Sequence, residues 1–224
     1  MQRHNILAFI IIAALIIPCQ GISSAAFDRS ERDRVLTHMK EREKSLSTLT
    51  ATFVQVKSTR LLKEPLHSQG MIYFQAPGTM LCKILDPSQV TILFKNRLFL
   101  IYYPDTGKRR ERYLGNNILK ECFGMGKPME EFERHYTITV GSVGDDGAYH
   151  MKLIPRQARM ASRIETIEMD ITPDQWLPRR IELREKNGDV TSIRLAYTSI
   201  NEPLEADVFR VEPSDDHEGP ENEK

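Results

Sequence analysis

At Leu49 the hydrophobic period of this chain drops from 3.6 to 2, and strand-like segments then recur almost to the C-terminus. Leu49, Ala51, Phe53 and Gln55 alternate with Thr50, Thr52, Val54 and Val56. Residues 69–75 form the next such run and stop at Ala76-Pro77-Gly78; residues 79–85 stop at Asp86-Pro87. Residues 90–94 and 98–103, joined by Lys95-Asn96-Arg97, are almost continuously apolar, as strands buried on both faces are. Pro104 to Gly107 turns the chain into a charged, edge-like strand at 108–114. Further strands are expected at 135–140, 148–154, 163–171, 179–185 and 190–197, with a short last one at 208–211. Asn187-Gly188 is a two-residue hairpin signal. A sheet of about eleven strands must curl to bury its inner face.

Two helical stretches accompany the strands. Val35, Leu36, Met39 and Leu46 recur at helical spacing and predict an amphipathic helix over 30–47, with Ser30 as its N-cap. A helical insert interrupts the strands: one short helix at 117–123, a flexible Gly124-Met125-Gly126 link, and a second helix opened by Pro128 and ending at 133. The fold class is mainly β (α+β). A helix and a helical insert placed over the open side of a curled sheet make an apolar cavity with a movable cover.

The N-terminus sets the compartment. Arg3 and His4 precede an apolar run at 6–17, and Ser24-Ala25-Ala26 is a small-x-small site that places cleavage before Phe27. The run falls short of the roughly 20 residues needed to span a bilayer. Pro18 before Cys19 does not fit a lipid-modified signal. Residues 1–26 therefore read as a cleaved secretory signal, 27–211 as one domain, and 212–224 as a disordered acidic tail. The whole chain balances 31 basic against 31 acidic residues. Without signal and tail, 29 bases face 25 acids, too small an excess to argue for nucleic acid.

Catalytic and metal signatures are missing. His38, His67, His135, His150 and His217 share no spacing, and no GxSxG, P-loop, GxGxxG, CxxC or HExxH occurs. The expectation is a binding protein without metal or cofactor rather than an enzyme. Cys82 and Cys122 outlast the signal; they form either a disulfide in an oxidising compartment or two small apolar core residues. The basic stretch Lys108-Arg109-Arg110-Glu111-Arg112 is either a solvated edge or a surface for anionic headgroups or an acidic partner.

Phe53-x-Gln55, Gly70 with Pro77 seven residues on, the strand from Met80 to Asp86-Pro87, and Leu100-Ile101-Tyr102-Tyr103-Pro104 together resemble the outer-membrane lipoprotein carrier family (LolA-like). The resemblance runs from the first helix to Val211. It implies an incomplete, strongly curved antiparallel β-barrel with helices as a lid, in the Gram-negative periplasm. It implies a monomeric carrier of acylated lipoproteins, loaded by an inner-membrane ABC transporter and unloaded to an outer-membrane acceptor. Related folds bind other lipids or sense envelope stress, so a lipid-binding or sensing module is the alternative. Two positions depart from the family pattern: Ala76 stands where members often have a latching Arg, and Cys82 where they have an aromatic. Phe53, Met80, Cys82, Ile84, Leu100 and Tyr102 are the expected cavity wall. Ile118, Leu119, Phe123 and Met125 are the expected lid, to which a Cys82–Cys122 bond would tether it.

Overall fold

The computed structural model describes residues 24–95, 98–113, 133–144 and 147–211. Helix α1 spans Ser24–Ser45. It is already under way at Ser30, so that residue is not its cap; Ala25 and Ala26, strong helix formers, extend it backwards. Strand β1 (Thr48–Ser58) follows directly, then β2 (Leu66–Gln75), β3 (Thr79–Asp86), β4 (Val90–Lys95) and β5 (Leu98–Tyr103). A 3-10 turn at Pro104–Thr106 leads into β6 (Lys108–Tyr113). The second half holds β7 (Tyr136–Val143), β8 (Tyr149–Pro155), a one-turn helix α2 (Ala158–Ala161), β9 (Ile164–Ile171), β10 (Pro178–Glu185) and β11 (Val190–Ile200). The Ala76–Pro77 and Asp86–Pro87 bonds at the ends of β2 and β3 are cis.

The described strands form one antiparallel sheet of eleven, in the order β6-β5-β4-β3-β2-β1-β11-β10-β9-β8-β7. Each half is a meander of neighbouring hairpins, and β1 and β11 join the halves at the centre. The outermost strands, β6 and β7, do not pair with each other, so the sheet is not closed into a barrel. The β10–β11 hairpin turns as its sequence requires: Gly188 sits at φ 89°, and the Asn187 side-chain oxygen accepts from the Asp189 amide at 3.0 Å.

Alternation sorts every strand into an inner face, which carries α1, and an outer face. On the inner face of β7 to β9, Tyr136, Ile138, Val140, Tyr149, Met151, Leu153 and Ile171 form the largest buried cluster, and Val35 and Leu36 of α1 complete it. Trp176 packs at its rim, stacked on Tyr149 at 5.6 Å and on His38 at 4.3 Å. The outer face behind this cluster is charged. His150 faces Asp170 at 3.0 Å, Lys152 faces Glu168 at 3.6 Å, and Arg180 and Arg184 flank buried Glu182. Such a ladder adds little net stability per pair, but it marks this side as the wet one.

Residues 208–211 are not a strand. The segment after β11 turns at 206–209 and crosses the outer face, where Phe209 and Val211 pack on Leu81, Leu93 and Leu100. Both neighbours of β11 are already occupied, by β1 and β10, so no ladder position beside β11 was open to it. The helices expected at 117–123 and 128–133 lie outside the described residues except Glu133, which is helical and pairs with Lys40 of α1 at 3.2 Å.

Adjacent residues of β8 test this sorting. Leu153 is fully buried on the inner face and Ile154 is 44% exposed on the outer one. Leu153→Ala is expected to cost about 2–5 kcal/mol, and Ile154→Ala to stay within about 0.5 kcal/mol. Urea unfolding of the two variants checks the difference, and equal losses would mean that the faces are misassigned.

Candidate functional site

The inner face changes character from one end of the sheet to the other. Under α1 it is sealed. Across β2 to β5 it remains apolar but only half-buried: Ile72, Cys82, Ile84, Val90, Ile92, Phe99, Ile101 and Tyr103 all keep part of their surface exposed among the described residues. Register aligns them in rows. Ile72 stands beside Cys82, Cys82 beside Ile92, and Ile92 beside Ile101. A second row runs Phe74, Met80, Phe94 and Phe99. Met80 and Phe94 form its buried floor, with the Phe94 and Phe99 rings 4.8 Å apart.

Phe53 sits where this wall meets the centre of the sheet. It is buried, and its ring lies over Gly70, its cross-strand partner. A Cβ on Gly70 would fall 2.9 Å from that ring and 1.9 Å from the Lys83 carbonyl oxygen, so only glycine fits. The β2–β3 register also shifts at this point, between Gln69 and Gly70. A glycine with an irregular register is how a sheet bends.

Of the six wall residues expected from the sequence, the structure brings four together. Phe53, Met80, Cys82 and Ile84 share the inner face. Leu100 and Tyr102 lie on the outer face: Leu100 is buried with Leu81 and Leu93 beneath Phe209 and Val211, and Tyr102 pairs with Thr91 and Arg109. The β4–β5 link causes this. Lys95 pairs with Leu98, so inward positions that are even in β3 and β4 become odd in β5. Phe99 and Ile101 therefore take the places expected for Leu100 and Tyr102. The register implied by that link was the available signal. Ile72, Ile92 and Phe94 also belong to the wall, and strand alternation marks them. The expected lid residues Ile118, Leu119, Phe123 and Met125 lie outside the described residues.

Cys82 is a free thiol on this wall, and its proposed partner Cys122 lies outside the described residues. Burial pushes the thiol from its ordinary 9.0 up to about 11, because the apolar wall disfavours the thiolate. A protonated, half-buried thiol is a weak nucleophile, so Cys82 contributes shape and polarizability here. No group of three or more His, Cys, Asp or Glu among the described residues is arranged to hold a metal.

The outer face holds a different feature, a cleft of about 540 Å³ beneath the chain's last described segment. Tyr73, Lys83, Glu205, Asp207 and Arg210 line it. Lys83 lies 5.8 Å from the centre of the Tyr73 ring. Burial and then the nearby Glu205 charge raise the Tyr73 phenol. Its lining is too polar for a chain of methylenes; the apolar inner wall is the stronger candidate.

The family described as Outer membrane lipoprotein carrier protein LolA matches residues 44–212. No curated protein is similar at a significant level. Among solved structures, an uncharacterized conserved protein of Thermus thermophilus superposes with a TM-score of 0.54 at 10% identity, covering 82% of this chain and 95% of that one. MucB superposes with a TM-score of 0.50 at 13% identity, over 82% of this chain and 63% of its own. A LolA superfamily protein of Nitrosomonas europaea gives 0.43 at 12% identity, over 80% and 96%. At these identities the first two likenesses establish the fold alone.

The Cys82 environment has a measurable consequence. Below pH 9 the thiol is protonated in both folded and unfolded chains. Between about 9 and about 11 the unfolded chain loses this proton first, so stability falls as pH rises through that window. Iodoacetamide at pH 8 is expected to label Cys82 much more slowly in the folded protein than in urea, read by peptide mass mapping. Equal rates would show an open thiol.

Proposed function

The chain belongs to the LolA family of outer membrane lipoprotein carrier proteins, and on that footing we propose that it is a soluble periplasmic carrier for the acyl chains of lipoproteins. The observation that carries the reading is the half-buried apolar wall of β2 to β5. It joins the sealed core under α1 at one end and is left uncovered by the described residues at the other. A half-covered wall suits a carrier, because each methylene moved onto it from water gains about 0.8 kcal/mol. Met80 lines the floor with a flexible side chain that adapts to chains of different length.

The proposal extends to the route. The N-terminal 26 residues act as an export signal, residues 27–211 form the binding domain, and the acidic tail stays outside the fold. The carrier receives cargo from an inner-membrane lipoprotein-releasing ABC transporter, crosses as a monomer and delivers to an outer-membrane acceptor. Ile118, Leu119, Phe123 and Met125 cover the bound chains. No step is catalytic and no cofactor takes part. A second reading, a lipid-binding or envelope-sensing module on the same fold, draws support from two positions. Cys82 leaves the wall smaller than an aromatic would, and Ala76 lacks the latching guanidinium.

Native mass spectrometry of the protein purified from a periplasm separates the two readings. An added mass matching an acylated peptide or lipoprotein is expected. A free-lipid mass would favour the second reading, and an empty protein that takes up no apolar dye would sink both. Ile92→Asp, on the wall, is expected to lower apolar-dye affinity at least about tenfold, the effect of roughly 1.4 kcal/mol. Val54→Asp, on the outer face and 49% exposed, should leave it unchanged. Fluorescence titration of both variants checks this.

A further inference from the structure

The most basic stretch of the chain is not uniformly charged once it is folded. In β6 the register with β5 sets Lys108 beside Tyr103, Arg110 beside Ile101 and Arg112 beside Phe99. Directly paired residues of an antiparallel ladder project from the same face. The three cations therefore lie on the inner face, in line with the apolar wall. The intervening residues point the other way. Arg109 and Glu111 pair with each other on the outer face. The strand's one carboxylate is thus held away from the inner row, and no described carboxylate forms an ion pair with Lys108, Arg110 or Arg112.

Protection of a sheet edge against aggregation asks only for charge on the edge. It does not ask that one sign be collected on the face that holds the ligand. Cations two residues apart on one strand sit about 7 Å from each other, and their repulsion is relieved by a shared anion. Two of the three are guanidinium groups, whose planar forks match phosphate oxygens.

We propose that Lys108, Arg110 and Arg112 form the headgroup half of the binding site, and that the ligand is an amphiphile with an anionic, phosphate-bearing head. Its chain lies over Phe99, Ile101, Ile92 and Cys82, and its head reaches the rim at β6. This rests on the apolar wall being the ligand site, as proposed above, but not on lipoprotein cargo, whose acylated cysteine carries no phosphate; it favours the lipid-binding reading of the same wall.

The test uses the purified protein and two monomeric probes of equal chain length, lysophosphatidylglycerol and zwitterionic lysophosphatidylcholine, each below its micelle concentration, with inorganic phosphate as a third. The anionic probe is expected to bind about tenfold more tightly than the zwitterionic one, the combined effect of roughly three exposed charge contacts, and to lose that advantage in high salt. The K108Q/R110Q/R112Q variant should bring the two probes to equal affinity without weakening the zwitterionic one, whose retained binding reports an intact fold. R110E alone should act in the same direction, and R109Q/E111Q, on the outer face, should change nothing. Equal affinities in the unaltered protein would overturn the headgroup site and leave the apolar wall standing. Phosphate competing as well as the anionic probe would overturn the amphiphile in favour of a simple anion site. Failure of both lipids to bind would overturn the wall and the rim together.

Discussion

An open sheet buries its inner face only where another element covers it, and α1 covers one end. Val35 and Leu36 pack on Ile138, Met151 and Leu153 and turn that part of the sheet into an ordinary core. Among the described residues, α1 completes the cluster of β7, β8 and Ile171 of β9. Across β2 to β5 the same alternation continues without a described partner, so the apolar side chains there stay half exposed. Core and wall are thus parts of one sheet face, distinguished by whether a described element covers them.

The outer face meets the same problem in two ways. Behind the α1 cluster its residues are charged and pair in rows across β8, β9 and β10, which keeps that side hydrated. Behind the apolar wall the outer residues Leu81, Leu93 and Leu100 are apolar, and the segment after β11 lies across them. β4 and β5 are consequently buried on their outer side and, among the described residues, only partly covered on their inner side. The inner wall is therefore backed by a packed layer, which fixes the shape of its strands.

The near-continuous apolar sequence of residues 90–94 and 98–103 announced burial on both faces; the structure buries the outer face and leaves most of the inner one half-buried among the described residues. The long first helix, the strand count and the Asn187-Gly188 hairpin were equally legible, because each depends on local periodicity or turn chemistry. The facing of the wall strands was legible up to the β4–β5 link. Phe53, Met80, Cys82 and Ile84 share the inner face. Leu100 and Tyr102 do not, because the inward parity changes at the β4–β5 link and a one-position difference exchanges the faces.

By itself, then, the sequence determined the kind of surface this chain makes: many alternating strands and a long amphipathic first helix to pack on them. Those properties follow from periodicity and composition, which act over a few residues. Tertiary structure alone decided which side of each strand joins the inner face, that residues 208–211 cover the outer face rather than join the sheet, and that Lys108, Arg110 and Arg112 share a side from which Glu111 is absent. Register and strand order set these outcomes. They depend on pairing between segments far apart in the chain, where hydrogen bonds and packing across the whole sheet choose among alternatives that local sequence leaves equal.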